Sequence, residues 1–177
     1  MIWYMDLRYP IGKFAWPASV TPRMRSEWIA EIASAPAAFR EAVRGLDDAQ
    51  LNTPYRPEGW TVRQVIHHVP DSHMNSYIRF RLALTEDEPA IKPYAEARFA
   101  ELADARLAPV EVSLQLLENL HFRWVMLLRS MSEADFARTF RHPELGTLRL
   151  DSNLALYAWH GRHHAAHITQ LRQRNRW

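Results

Sequence analysis

Four histidines fall within eight residues of this 177-residue chain, at His160, His163, His164 and His167. If that stretch is helical, His160 and His164 stand one turn apart on one face, so their imidazoles can converge on a single ion, and His167 continues the face. Between Tyr157 and Leu171 the stripe is apolar at its ends and imidazole in its middle, where a purely structural helix would more often carry Leu or Ala. The competing reading is a solvated histidine pair, because His-x3-His arises on helices by chance. Positions 161 and 162 are Gly and Arg, so the His-Glu-x-x-His pattern of zincin proteases is missing. A third ligand has to come from another helix, which offers His67, His68 and His73. Spacing does not choose among these three. His73 and His121 both lie on apolar stripes, where a core histidine bonded to a carbonyl is the commoner outcome.

Any metal or acid–base chemistry must rest on His, Asp and Glu, because the chain has no cysteine. That excludes disulfide frameworks, thiolate zinc fingers, iron–sulfur clusters and a protein-supplied thiol nucleophile. Lys plus Arg number 22 against 20 Asp plus Glu, a net +2 that creates no basic field for nucleic acid. The basic tail at Arg172, Arg174 and Arg176 suits a helix C-terminus. Residues 1–10 lack a basic stretch followed by an apolar core, so no signal peptide is expected. Apolar runs such as Trp124 to Leu128 are short, and none exceeds six residues, far short of the roughly 20 needed to cross a bilayer. The expectation is a cytoplasmic protein without membrane or nucleic-acid partners, with one domain over residues 1–177.

The elements that must position the histidines can be read from periodicity. Residues 1–22, with the aromatic clusters Trp3-Tyr4 and Phe14-Ala15-Trp16, form an irregular arm. Residues 23–46 show helical recurrence at Trp28, Ile32, Ala35, Phe39 and Val43, and Pro36 makes this one kinked helix or two short ones. A loop over 47–59 ends at the capping box Thr61 to Gln64. The helix that follows runs to about Leu84 through Pro70, where a bend is expected. A proline-bearing stretch over 85–109 holds a short helical piece near 95–101. A third helix follows Pro109, a small hairpin spans 139–150, and a last helix capped by Asp151 or Ser152 reaches Arg174. The fold class is therefore all-α, an antiparallel four-helix bundle with a small β-hairpin before the last helix.

The run from Tyr55 through Gly59-Trp60-Thr61 to His67-His68 resembles the second-helix signature of the DinB-like superfamily, in which the ligand histidine lies eight residues after the tryptophan. The segments Asp71 to Phe80, Leu120-His121 with Arg123-Trp124, Tyr157 to His160 ahead of His164, and Leu7 to Gly12 resemble the YfiT/BstA branch. The resemblance covers nearly the whole chain. It implies a homodimeric four-helix bundle holding one divalent ion per subunit, zinc or nickel, through His68, His160 and His164. It also implies metal-dependent hydrolysis or transfer of a bacillithiol-type thiol. One departure is Pro70, where relatives generally carry alanine, two residues from His68.

Three neutral imidazoles leave an ion an open fourth position, as in catalytic zinc sites, whereas closed structural sites use four protein ligands. Bound water, with its pKa lowered to about 7, would supply hydroxide for hydrolysis, and a free thiol near 8.5 would be deprotonated on coordination. Because the chain has no cysteine, sulfur for a transfer must arrive as a low-molecular-weight thiol. The expected function is thus a metal-dependent thiol S-transferase acting on a small electrophile. The alternatives are a hydrolase and a non-enzymatic, stress-induced metal-binding protein. Asp71, three residues beyond His68, and Asn75 are candidates for orienting ligand or substrate, against the alternative of a solvated helix face.

Overall fold

The computed structural model of the chain describes residues 6–177, so the expectation for Trp3-Tyr4 falls outside it. In chain order the helices are α1 (Pro22–Ala42), α2 (Asp48–Leu51), α3 (Val62–Thr85), α4 (Glu96–Phe99), α5 (Ala103–Leu107), α6 (Val110–Ser130), α7 (Glu133–Ala137) and α8 (Leu150–Asn175). Strands β1 (Thr139–His142) and β2 (Gly146–Arg149) pair antiparallel just before α8, as the expected hairpin. The four long helices form the bundle. Helix α1 packs on α6 and α8, and α3 packs on the same two, so α1 and α3 occupy opposite corners.

Local chemistry explains the boundaries. Thr21 caps α1 by accepting from the Met24 amide, and Pro22 sits in the first turn, where its missing N–H is no loss. Thr61 and Gln64 form the expected capping box of α3. Helix α1 is one continuous helix through Pro36, not two, and it stops at Ala42 instead of reaching Leu46. The capping expectation for α8 is corrected. Its N-cap is Arg149 at the end of β2, and Asp151 lies inside the first turn, where its buried carboxylate receives the Arg149 guanidinium at 2.7 Å.

The core divides into two apolar clusters. One gathers Ile32, Phe80, Trp124, Leu128, Leu154 and Tyr157. The other gathers Phe39, Val62, Ile66, Val69, Leu117 and Ile168. On α8 the four histidines fall between residues of the two clusters. On α3 His73 does so, while His67 and His68 are flanked by Ile66 and Val69, and His121 lies near the junction on α6. A polar stratum of imidazoles therefore crosses an otherwise apolar bundle. The described part of the N-terminal arm lies along α8, where the Arg8 carbonyl accepts from His167 Nε2 at 3.2 Å and the Pro10 carbonyl accepts from Gln170 at 3.1 Å.

Candidate metal centre

Helix α3 presents His68, and α8 presents His160 and His164 one turn apart. One ring nitrogen from each lies within 4.8 Å of the others. Burial pushes His68 down to about 4. Burial first, then the neighbouring imidazoles, push His160 and His164 well below the ordinary histidine value. All three rings are therefore neutral at pH 7 and offer lone pairs. The buried Nδ1 of His164 has no hydrogen-bond partner among the described residues. An orphaned nitrogen costs stability unless something else occupies it. Three neutral imidazoles facing one point suit a divalent metal ion.

The other α3 histidines are already engaged. His67 Nε2–H donates to the Ala108 carbonyl at 3.1 Å, and its Nδ1 accepts from the Ser113 hydroxyl at 2.7 Å. His73 stands between His121 (2.8 Å) and His160 (3.0 Å), with both nitrogens in use. Hydrogen bonding distinguishes the three where spacing did not: among the described residues, His68 is the α3 histidine whose ring nitrogens make no hydrogen bond.

A cleft of about 420 Å3 opens onto the three rings, walled by Trp60, Trp159, Tyr55 and Ala97, with Glu58 and Glu96 at its exposed mouth. The loop that delivers Trp60 turns tightly at Gly59, where a Cβ would stand 2.6 Å from Arg56 Cγ. On the other side of His160 a second cavity of about 430 Å3 is lined by Ser72, Arg79, Tyr94 and Tyr157. The Ser72 hydroxyl lies 3.4 Å from His160 Nε2.

The structure does not bring Asp71 or Asn75 to the three histidines. The Asn75 amide donates to the Asp71 backbone carbonyl at 2.9 Å, within its own helix. The Asp71 carboxyl is raised to about 6 by burial and by nearby Asp104. Ser72, Trp60 and the His73–His121 pair do adjoin the site. Ser72 carried a signal in its spacing, four residues after His68 on one helix face. Nothing in the spacing marked His121, on another helix, as a neighbour of His73.

Residues 31–168 match the DinB superfamily. A Bacillus mycoides relative bearing the name "Putative metal-dependent hydrolase" is 57% identical over 172 residues, which cover 97% of this chain and 99% of that protein. A Bacillus cereus relative of the same name is 58% identical over the same shares. Among solved structures, YfiT from Bacillus subtilis, a four-helix bundle of unusual topology, matches with a TM-score of 0.95 at 48% identity, covering 97% of this chain and 99% of that one. A mycothiol-dependent maleylpyruvate isomerase shares the fold at a TM-score of 0.60 and 20% identity, over 78% of this chain and 60% of that one.

Proposed function

Given that the chain belongs to the DinB superfamily, we propose that it is a divalent-metal-dependent enzyme transferring a low-molecular-weight thiol to a small electrophile. The observation that carries this reading is the convergence of His68, His160 and His164, neutral and within 4.8 Å. His68, His160 and His164 would hold the ion. When bound, a divalent ion supplies Lewis acidity, which lowers the pKa of a thiol or water at its open position.

The chain's own residues do the rest. With no cysteine in the sequence, the nucleophile has to enter from solution. Trp60 and Trp159 wall the cleft with apolar surface, which excludes water from a sulfur nucleophile and suits an uncharged electrophile. The Ser72 hydroxyl, beside His160, is placed to hold a proton at Oγ. The carboxylates at the cleft, Glu58 and Glu96, are both solvent-exposed. Among the described residues, no buried carboxylate of the cleft is positioned as general acid for an ester or amide leaving group, and this favours thiol transfer.

Hydrolysis is the second reading, favoured by the names of the 57–58% identical relatives. The resemblance to the branch also implies a homodimer, and the exposed apolar side chains Phe122 and Met126 on α6 support a second copy as their cover. The deciding experiment loads tag-free protein with zinc or nickel and supplies a chlorobimane electrophile with a panel of small thiols, beside esters and amides in water. Thiol-dependent adduct formation that disappears in His68→Ala is the expected result. Turnover of esters or amides with no thiol-dependent product would overturn it.

A further inference from the structure

Helix α1 contains a proline, Pro36, that leaves one backbone carbonyl of the helix without its usual donor. In an α-helix the carbonyl of residue 32 receives the N–H of residue 36, but residue 36 is proline and has none. The Ile32 carbonyl is instead met by His121 Nδ1 at 2.7 Å. His121 Nε2 faces His73 Nδ1 at 2.8 Å, and His73 Nε2 faces His160 Nδ1 at 3.0 Å. A row of three imidazoles therefore leads from the freed carbonyl on α1, through α6 and α3, to a proposed ligand on α8.

A carbonyl only accepts, so the first proton must sit on His121 Nδ1. In a neutral ring that leaves His121 Nε2 as acceptor, which requires a proton on His73 Nδ1. His73 Nε2 then accepts, which requires a proton on His160 Nδ1. The only lone pair left to His160 is at Nε2, the nitrogen that lies 3.4 Å from the Ser72 hydroxyl. His73 and His121 are buried in the core and His160 is partly buried beside them, where a charged imidazole is disfavoured, so the neutral arrangement prevails.

We propose that Pro36, His121 and His73 form a tautomer lock that presents His160 to the ion through Nε2. His73 and His121 are positioning residues, fixing the proton and ring orientation of a ligand they do not replace. The lock rests on the assignment of His160 as a ligand, but its tautomers exist in the metal-free chain as well, so the two ideas can fail separately.

The test uses the full chain, 15N-labelled and stripped of metal. Long-range 1H–15N correlations report which ring nitrogen carries each proton, and Nδ1–H is expected at His121, His73 and His160. An Nε2–H form at His160 or His73 would overturn the lock. Zinc affinity, measured by competition with a chromophoric chelator, is expected to fall about ten- to a hundred-fold in His121→Phe. Ser113→Ala, which removes a hydroxyl from His67, should leave zinc affinity unchanged. If His121→Phe does not fold, Pro36→Ala takes its place: a restored amide competes for the Ile32 carbonyl and should mix the tautomers of His121. Unchanged tautomers and zinc affinity in a folded variant would overturn the proposal. Failure of the unmodified chain to bind zinc, with all three Nδ1–H tautomers present, would remove the ion and leave the hydrogen-bonded row standing.

Discussion

The indole of Trp60 and the imidazole of His68 lie 4.6 Å apart, centroid to centroid and tilted by 50°. The same indole lies nearly parallel to His164, at 18° and 6.4 Å. Trp60 immediately precedes the residue that caps α3, so the turn that starts the helix also lays an apolar plate over two of the three histidines.

Replacing Trp60 by alanine should open this side of the cleft to solvent. Trp60 is half-buried, so the loss should be about 2 kcal/mol, below the 3–5 typical of a fully buried aromatic. Urea unfolding measures it. A change under a few tenths of a kcal/mol would show that the plate contributes nothing to stability.

Adjacent histidines should behave oppositely. His68→Ala should remain folded and lose bound metal. His67→Ala should keep its metal and lose about 1–3 kcal/mol of stability, because the Ser113 hydroxyl and the Ala108 carbonyl lose their partner. Elemental analysis and thermal melts of the two variants make the comparison, and metal loss in His67→Ala instead would reassign the α3 ligand.

Acid should destabilise the metal-free protein. Burial pushes His121 from 6.5 down to about 4. Between those values the unfolded chain binds more protons than the folded one, so stability falls as pH drops through that window. At about 1.4 kcal/mol per unit, His121 alone removes on the order of 2 kcal/mol by pH 5. Urea titrations at pH 7.5 and pH 5 check this, and equal stabilities at the two would contradict it.

Gly161→Ala should be tolerated or stabilising. A Cβ there would meet Ala35 Cβ at 3.6 Å and His73 Cε1 at 3.8 Å, both ordinary contacts. Alanine is favoured over glycine inside a helix by about 0.8–1 kcal/mol. A lowered melting temperature would mean that α1 and α8 pack more closely at this position than those distances indicate.

The long helices were legible because their stripes repeat over about four turns or more: Leu114, Leu117, His121, Trp124 and Leu128 are all buried. The short helices α2 and α7 were not, although Asp47 with Gln50 and Ser132 with Asp135 form capping boxes, since a four- or five-residue helix has no room for a period. Asp151 was misread as a cap because β2 runs straight into α8, which leaves no loop to mark the junction. The proximity of His160 and His164 follows from spacing alone. The separation of His67 from His68 depended on partners 41 to 46 residues away, which periodicity does not encode. Pro36 was visible as a break in the donor pattern, while the residue that uses the freed carbonyl lies 89 positions along the chain.

Because α1 and α3 take opposite corners, α1 packs not on the next long helix in the chain but on α6 and α8 further along it. The contacts that join the histidine row close loops of 48, 87 and 89 residues. Such long-range closures raise the contact order, and folding rates fall as contact order rises. A helical bundle of this topology should therefore fold more slowly than one whose successive helices pair, and α8 has to arrive before the three histidines meet. The ion would then be captured late, as the step that locks the finished bundle rather than the seed from which it grows.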